Sequence, residues 1–550
     1  MPTKINFLVL LLAITNINSF SLDSSKRFIL DNKGRYSIFH GGNVVVKLPP
    51  YLPSLDKFDP LESLNSEEDF AAMKKLGFNS VRLGVIWEAV ETAPGVYDQE
   101  YLNKVEEIIN KLGEHGVYTL VDAHQDVFSR TFCGEGVPYF YVNEMGYDTK
   151  CDANLLTRFL DYVGFCRTLD EFNFNYDENG LPLIEDCKKN NFVEYHYLIG
   201  LSSSYSNFYT NKLNIQEKFV EFWKVVANRF KGNKYILGYD LWNEPIPGAF
   251  LENAKNVVPG YADKYQILPI YKKVNEALRE IDPNYILFFE NTPFPDTIPL
   301  FGGLTWGGMS EKPGDDSQNQ VYNFHAYCCL AGEDACQHGE APLENSINLC
   351  PKYHNKLFNN VMNVADKLNI GMFLSEFGAC SDSEACFNEL MNVVSITEKN
   401  FISWSYWNYK PYGDHTTTAI EKVDLEGVFN TDGTIQEIKE KALSRSYVQY
   451  YQGKPIDFQF SENSNTDFDT SFEFQANITE PSILFYNKDF FYKDGYVIEV
   501  IDDESKEDLI ESKKVEIKEE DTNYISINCN KDLLADGAKV RIYFKAVENN

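Results

Sequence analysis

The chain has 550 residues, 43% of them hydrophobic, and a formal net charge of −32. That length predicts two domains, one large and one of ordinary size, with material for a sizeable core. A polyanion is repelled by nucleic-acid phosphates and gains nothing from an anionic bilayer, so the charge excludes nucleic acid as an expected partner and limits membrane contact to the peripheral kind.

At the N-terminus Lys4 precedes an apolar run from Ile5 to Ile14, broken only by Asn6, and small residues follow at Ser19 and Ser21. This order of charge, apolar stretch and small residues predicts a signal peptide over residues 1–21, too short to span a bilayer. The expected location is therefore outside the cell or in an endosomal or lysosomal lumen.

Eight short apolar runs follow: Asn43–Lys47, Ser80–Val85, Tyr118–Ala123, Ile236–Leu241, Tyr285–Phe289, Val321–Phe324, Met372–Ser375 and Ile402–Tyr406. Amphipathic stretches lie between them at Glu67–Leu76, Tyr101–His115, Gln216–Phe230, Ile270–Ile281, Asn355–Leu368 and Glu384–Glu398. Alternating strand and helix implies parallel strands with helical crossovers, and eight units predict an α/β fold, a (β/α)8 TIM barrel over residues 22–448. An open doubly wound sheet has no Gly-x-Gly-x-x-Gly turn after its first strand to support it. A long insertion, about 125–214, separates the third and fourth runs; it is rich in Phe and Tyr and holds four cysteines. Residues 449–550 read as short strands with no helical pattern, which predicts a C-terminal antiparallel β-sandwich.

Of eleven cysteines, ten lie between Cys133 and Cys386, and Cys529 stands apart. An oxidising compartment predicts five bridges and one free thiol, with Cys380 and Cys386 close enough to close a small loop. Cys328, Cys329, Cys336 and Cys350 crowd near His338, but they lack the paired two-residue gaps of a zinc site, so no metal is expected. Asn477-Ile478-Thr479 is an N-glycosylation acceptor.

The chemistry lies where the strands end, since barrel active sites sit at the C-terminal face. Run four ends in Trp242-Asn243-Glu244-Pro245 and run seven in Ser375-Glu376-Phe377-Gly378. An unpaired buried carboxylate is costly, so two at opposing strand ends point to one catalytic cleft. A separation of ~5–5.5 Å would make the pair a retaining glycosidase, and ~6.5–9.5 Å an inverting one. Other strand ends converge on the same face: Arg82 on strand two, His124 and Asp126 after strand three, His325 and Tyr327 after strand six, and Trp407 after strand eight, a candidate floor under a sugar ring.

The ordered set Arg82, His124, Asn243-Glu244, His325-x-Tyr327, Glu376 and Trp407 resembles glycoside hydrolase family five over about 400 residues. Within that family the chain is most similar to the endoglycoceramidases, through Gly42-Asn43-Val44-Val45-Val46-Lys47, Pro49-Pro50-Tyr51 and His124-Gln125-Asp126-Val127-Phe128-Ser129-Arg130. The resemblance implies Glu376 as nucleophile, Glu244 as acid/base, and sugar contacts from Lys47, His124, Asp126, Asn243, Tyr327 and Trp407, with Arg82 and His325 in support. It implies endo-cleavage between oligosaccharide and ceramide in a glycosphingolipid. That mechanism needs no cofactor, and a monomer is expected. His40-Gly41 departs from the Leu-Arg-like pair expected there. Residues 139–141 and 172–176 are candidates for an aromatic ceramide channel. The rival readings are an exo-acting β-glucosidase or glucosylceramidase and, further off, a non-catalytic carbohydrate-binding protein.

Overall fold

The computed structural model describes residues 20–293, 307–328, 350–417, 424, 426–462 and 464–547. Eight parallel strands close a barrel: β1 (His40–Val44), β2 (Ser80–Gly84), β3 (Tyr118–Asp122), β4 (Ile236–Asp240), β5 (Leu287–Phe289), β6 (Gln320–Ala326), β7 (Gly371–Phe377) and β8 (Ser403–Tyr406). Closure runs through β8 and β1, where Trp404 lies opposite His40. Each of the eight apolar runs overlaps one strand, the first by only Asn43 and Val44. The strands are buried on both faces, so apolar residues alternate with the polar ones that fill the barrel at mid-height.

The long crossover helices among the described residues are α1 (Glu67–Leu76), α2 (Gln99–Glu114), α3 (Ile215–Phe230), α4 (Leu268–Ile281), α5 (Cys350–Leu368) and α6 (Glu384–Lys399). Their ends follow from sequence. Ser66 and Asp69 form a reciprocal capping box at the start of α1, and Gly77, at φ 73°, takes the left-handed turn that ends it. In α2, Leu102, Val105, Ile109 and Leu112 recur at helical spacing and are buried against the barrel.

The departure from expectation lies at the N-terminal end. Strands Phe20–Leu22, Ile29–Asp31 and Tyr36–Ser37 do not belong to the barrel wall. They join Tyr447–Tyr451, Ser482–Phe485, Tyr524–Cys529 and Val515–Asp521 in a seven-stranded sheet. A four-stranded sheet of Gly453–Phe460, Phe468–Phe474, Lys539–Ala546 and Tyr496–Asp502 packs with it around Tyr36, Tyr451, Phe472, Leu484, Ile527 and Phe544. The sandwich is therefore built from both ends of the chain, and a boundary at 448/449 would cut through one of its strands. Residues 1–19 of the expected signal peptide lie outside the described residues. Phe20 and Leu22 pack with Phe39, Leu120, Phe288 and Phe373 as a floor across the N-terminal end of the barrel. A cut after Ser21 would remove part of that floor.

The unexpected His40 is explained by the same junction. Its ring stacks between Trp404 (4.3 Å) and Tyr447 (3.6 Å), joining barrel to sandwich, and burial holds its pKa well below the ordinary histidine value. Disulfides join Cys133–Cys187, Cys151–Cys166, Cys328–Cys350 and Cys380–Cys386, while Cys529 is a buried free thiol. Cys329, Cys336 and His338 lie outside the described residues.

Candidate active site

The barrel interior is polar at mid-height, and one cation organises it. Arg82, from the middle of β2, is fully buried. Its Nε donates to Asp240 at 2.9 Å, Nη1 to Glu376 Oε1 at 2.7 Å and Asn43 at 3.2 Å, and Nη2 to Asn243 Oδ1 at 2.8 Å. Asp122 adds an ion pair at 3.0 Å. Burial works against the guanidinium charge, but Asp122, Asp240 and Glu376 outweigh it and hold Arg82 above its ordinary value. A charge this deep is tolerable only when it is paired and hydrogen-bonded in this way.

Glu376 sits near the end of β7 with both oxygens held. Arg82 donates to Oε1, and the Tyr327 hydroxyl donates to Oε2 at 2.8 Å. Glu244 follows β4 at a left-handed backbone position, φ 39°. Its Oε1 is 2.7 Å from His325 Nδ1, which in turn is 3.4 Å from Glu376 Oε2. One carboxylate oxygen of Glu244 and one of Glu376 lie within 4.8 Å of each other. Burial and the nearby Asp126 charge push Glu244 up to about 7, while burial drives His325 down to about 4 and keeps it neutral. Two carboxylates thus face one gap with unequal surroundings: Glu376 lies against a guanidinium and Glu244 in a setting that favours its protonated form.

The wall beside them is charged and aromatic. Lys47 Nζ meets Asp126 at 2.6 Å, Asp414 at 3.0 Å and the Thr416 hydroxyl at 2.6 Å, and lies 4.6 Å from the centre of the Trp407 ring. Burial opposes the Lys47 charge, but the two aspartates hold its pKa well above the ordinary value; Lys47 and His124 conversely hold Asp126 well below the usual carboxylate range, against its burial. His124 stacks on Trp407 at 5.5 Å and donates from Nδ1 to Asp122 at 2.7 Å. Burial opposes its charge, and Asp122 and Asp126 raise it to about 9. Asn243 Nδ2 donates to the Gln125 carbonyl at 3.1 Å. Together these side chains line a cavity of about 210 Å³ whose walls include Lys47, Asp126, Asn243, Glu244, Glu376 and Trp407.

All ten site residues expected from sequence converge here; eight line the cavity, and Arg82 and His325 stand behind it. Among the described residues, three of the candidate channel rings take the packing role instead. Tyr141 is buried against Trp87 and donates to Glu91 at 2.6 Å, and Phe172 and Phe174 stack on each other beside Tyr195. These rings pack the insertion onto the barrel, and among the described residues the insertion contributes Asp126 and Phe192 to the cavity lining. Sequence reasoning also missed Asp414 and Thr416, from the loop after β8, and Glu290. The Glu290 carboxylate accepts the Glu244 backbone N–H at 2.7 Å and lies 3.9 Å from His325 Nε2. It follows the apolar run Leu287–Phe289, the same pattern that marked Glu244 and Glu376.

Among the described residues three clusters have the spacing of cation ligands: Glu244, His325 and Glu376; His124, Asp126 and Glu135; and Cys328, His354 and Glu389. In the first two, Arg82 or Lys47 already pairs a carboxylate, and in the third Cys328 is consumed in a disulfide.

Residues 58–413 match the family described as Cellulase (glycosyl hydrolase family 5). The chain belongs to glycosyl hydrolase family 5. This family 5 enzyme is 29% identical to an endoglycoceramidase of Cyanea nozakii over 495 residues, 88% of each chain. It is likewise 29% identical to an endoglycoceramidase of Hydra vulgaris, over 87% of this chain and 83% of that one. Its fold superposes on endo-glycoceramidase II from Rhodococcus sp. with a TM-score of 0.67, at 20% identity, over 95% of this chain and 100% of that one. The chain is thus a glycoside hydrolase on a family 5 barrel.

Proposed function

We propose that this chain is a retaining endo-β-glycosidase that cleaves the bond between the glucosyl residue of a glycosphingolipid and its ceramide. The observation that carries the mechanism is the pair Glu244 and Glu376, with carboxylate oxygens within 4.8 Å across one cavity. So close an approach favours the ~5–5.5 Å separation of a retaining pair, in which one carboxylate attacks directly, over the ~6.5–9.5 Å of an inverting pair. Glu376 attacks the anomeric carbon, and the bond to the ceramide oxygen breaks as protonated Glu244 gives its proton to that oxygen. In the second step Glu244, now ionised, takes a proton from water, whose oxygen displaces Glu376 and leaves the β-configuration restored. Arg82 and Tyr327 hold the two nucleophile oxygens, Asn243 hydrogen-bonds the sugar 2-hydroxyl, and Lys47, His124, Asp126 and Trp407 receive the sugar.

The substrate class rests on the relatives named endoglycoceramidase, which span nearly the whole chain, and on a structurally similar enzyme solved as a ganglioside complex. Incubation with ganglioside and with glucosylceramide, followed by mass analysis, tests it. Intact oligosaccharide plus ceramide is the expected product, and stepwise release of monosaccharides would refute endo-cleavage. Glu376→Gln and Glu244→Gln should each lower turnover on the glycolipid by ~100-fold or more; retention of a tenth of wild-type turnover would unseat the role concerned.

The enzyme acts as a monomer, exported through its N-terminal leader and glycosylated at Asn477, which is exposed. Leader cleavage at or before Phe20 preserves the barrel floor. Intact-mass measurement of the secreted protein, with and without glycosidase treatment, tests both.

A further inference from the structure

The long insertion carries an apolar surface that the catalytic reading does not use. Helix Leu155–Tyr162 starts at Asn154, whose side chain accepts from the N–H groups of Leu156 and Thr157. Its inner side is already satisfied: Leu160 packs against Cys151, Cys166, Ile199 and Leu251. Its outer side is apolar as well. Leu155, Phe159 and Tyr162, at i, i+4 and i+7, are 85%, 59% and 89% exposed, and Val163 and Phe165 continue the patch at 41% and 50%. Soluble monomers rarely leave large side chains clustered this way without a partner.

We propose that the Leu155–Phe165 face is a membrane-docking surface that seats the enzyme on a zwitterionic lipid bilayer. The proposal rests on the glycosphingolipid reading of the active site, because ceramide reaches water only from a bilayer. Three features select lipid as the occupant. Local charge is the first: Lys150 and Arg158 balance Asp152 and Asp161, and Arg167 is paired with Glu171 and Glu194, so in a chain of net −32 this face is close to neutral and is spared much of the repulsion that the rest of the surface would meet at phosphate headgroups. Shape is the second. A short helix with one stripe of Leu, Phe and Tyr outward has the composition of an interfacial helix, with Tyr162 suited to headgroup depth. The Cys151–Cys166 disulfide ties together the two ends of the segment that displays it.

Continuity with the catalytic cleft is the third. Phe165 lies edge-on to Tyr197 at 5.4 Å, and Arg167 exchanges backbone hydrogen bonds with Tyr197 and Ile199 at 2.8 and 2.9 Å. The same stretch carries Phe192 into the cavity wall and packs it on His196 at 4.8 Å. His196 sits within the fields of Asp126 and Glu244, the latter being the acid that faces the departing ceramide. The patch and the aglycone side of the cavity are thus two ends of one disulfide-braced unit.

The test uses the full-length Glu376→Gln protein, which binds without turnover, and phosphatidylcholine vesicles with or without lactosylceramide. Co-sedimentation should show binding to both vesicle types. Combining Leu155→Ser, Phe159→Ser and Tyr162→Ser should lower partitioning by at least about tenfold. In the otherwise wild-type chain the same triple change should leave hydrolysis of a detergent-dispersed glycolipid within about twofold while slowing hydrolysis in vesicles. Tyr162→Trp, which keeps an interfacial aromatic, should retain vesicle binding. Equal partitioning of the triple variant and its parent overturns the proposal, as does a concentration-dependent dimer that the triple change abolishes in the absence of any vesicle binding. If the wild type releases no ceramide even from detergent, the substrate reading fails instead; the vesicle result is read independently of it.

Discussion

In the proposed mechanism the chemistry turns on Glu244, and its environment makes two outcomes measurable. As the proposed acid it must be protonated to assist departure of ceramide, and burial with the Asp126 charge raises it to about 7. The rate should therefore hold at acidic pH and fall as pH rises through about 7, a loss seen in kcat/KM for the glycolipid. With an aryl glycoside whose leaving group needs no proton, Glu244→Gln should remove that limb from the first step while Glu376→Gln stays inactive. The second outcome concerns Glu290, which holds the Glu244 backbone N–H in its left-handed position. Glu290→Gln retains an acceptor oxygen and should keep most activity. Glu290→Leu strands a buried donor, which should cost about 1–3 kcal/mol in denaturant unfolding and lower kcat more than it raises KM. Glu290 was legible by the strand-end rule that marked Glu244, since it too closes an apolar run. Asp414 and Thr416 were not: they lie in a loop, and only the folded distance to Lys47 reveals them.

At the scale of elements, all eight barrel strands were legible, because burial on both faces leaves short apolar-rich runs, though their bounds shift: the run Asn43–Lys47 marks a strand that lies at His40–Val44, where two glycines and a histidine break the pattern. The sandwich could be read only in part. Its C-terminal strands stand out between turn residues, but the pairing of Tyr36–Ser37 with Tyr450–Tyr451 joins segments some four hundred residues apart, and no local pattern records it. The two-residue strand carries no periodicity at all. The insertion failed for the opposite reason: its aromatics are conspicuous, but composition does not distinguish a ring packed inward, such as Tyr141, from one facing a ligand. The N-terminal strand has a specific consequence. Phe20 is 5% exposed and makes edge contacts with Phe39 and Tyr118 at 5.5 and 4.7 Å on the barrel floor. Phe20→Ala should destabilise the protein by about 3–5 kcal/mol in urea denaturation with little effect on KM, since the floor is at the far end from the cavity. A cost below about 1 kcal/mol would mean that the strand does not hold the floor closed.

Across the whole molecule, the buried titratable groups pull stability in one direction over a defined range. Burial raises Glu88 and Glu426 to about 8 and Asp240, Glu244 and Glu398 to about 7, and it lifts Glu135 and Glu290 well above the usual carboxylate value. Each of these binds a proton more tightly folded than unfolded, so its contribution is greatest below the unfolded value of about 4.5 and is lost as pH rises through the folded one. His124, raised to about 9 by its aspartates, is lost in the same sense above about 6.5. Between pH 6.5 and 8 Lys439, lowered by burial to about 7, opposes this above 7. Below 6.5 the buried His40, His196, His325 and His415, all lowered by burial, begin to favour the unfolded chain, but they are outnumbered until the carboxylates saturate near 4.5. Below the ordinary aspartate value of 3.8, the stability that Asp126 gains from Lys47 and His124 also begins to decline as pH falls toward its much lower folded value. Acidification further relieves the self-repulsion of a chain of net −32. Stability should therefore peak between about pH 4.5 and 6.5 and drop by at least about 2 kcal/mol by pH 8. Thermal and urea unfolding across pH 4–9 measures this directly, and a melting temperature that stays level or climbs from pH 6.5 to 8 would show that these buried acids do not govern the fold. The same acidic window keeps Glu244 protonated, so the conditions that hold the barrel together are those in which the proposed catalytic acid carries its proton.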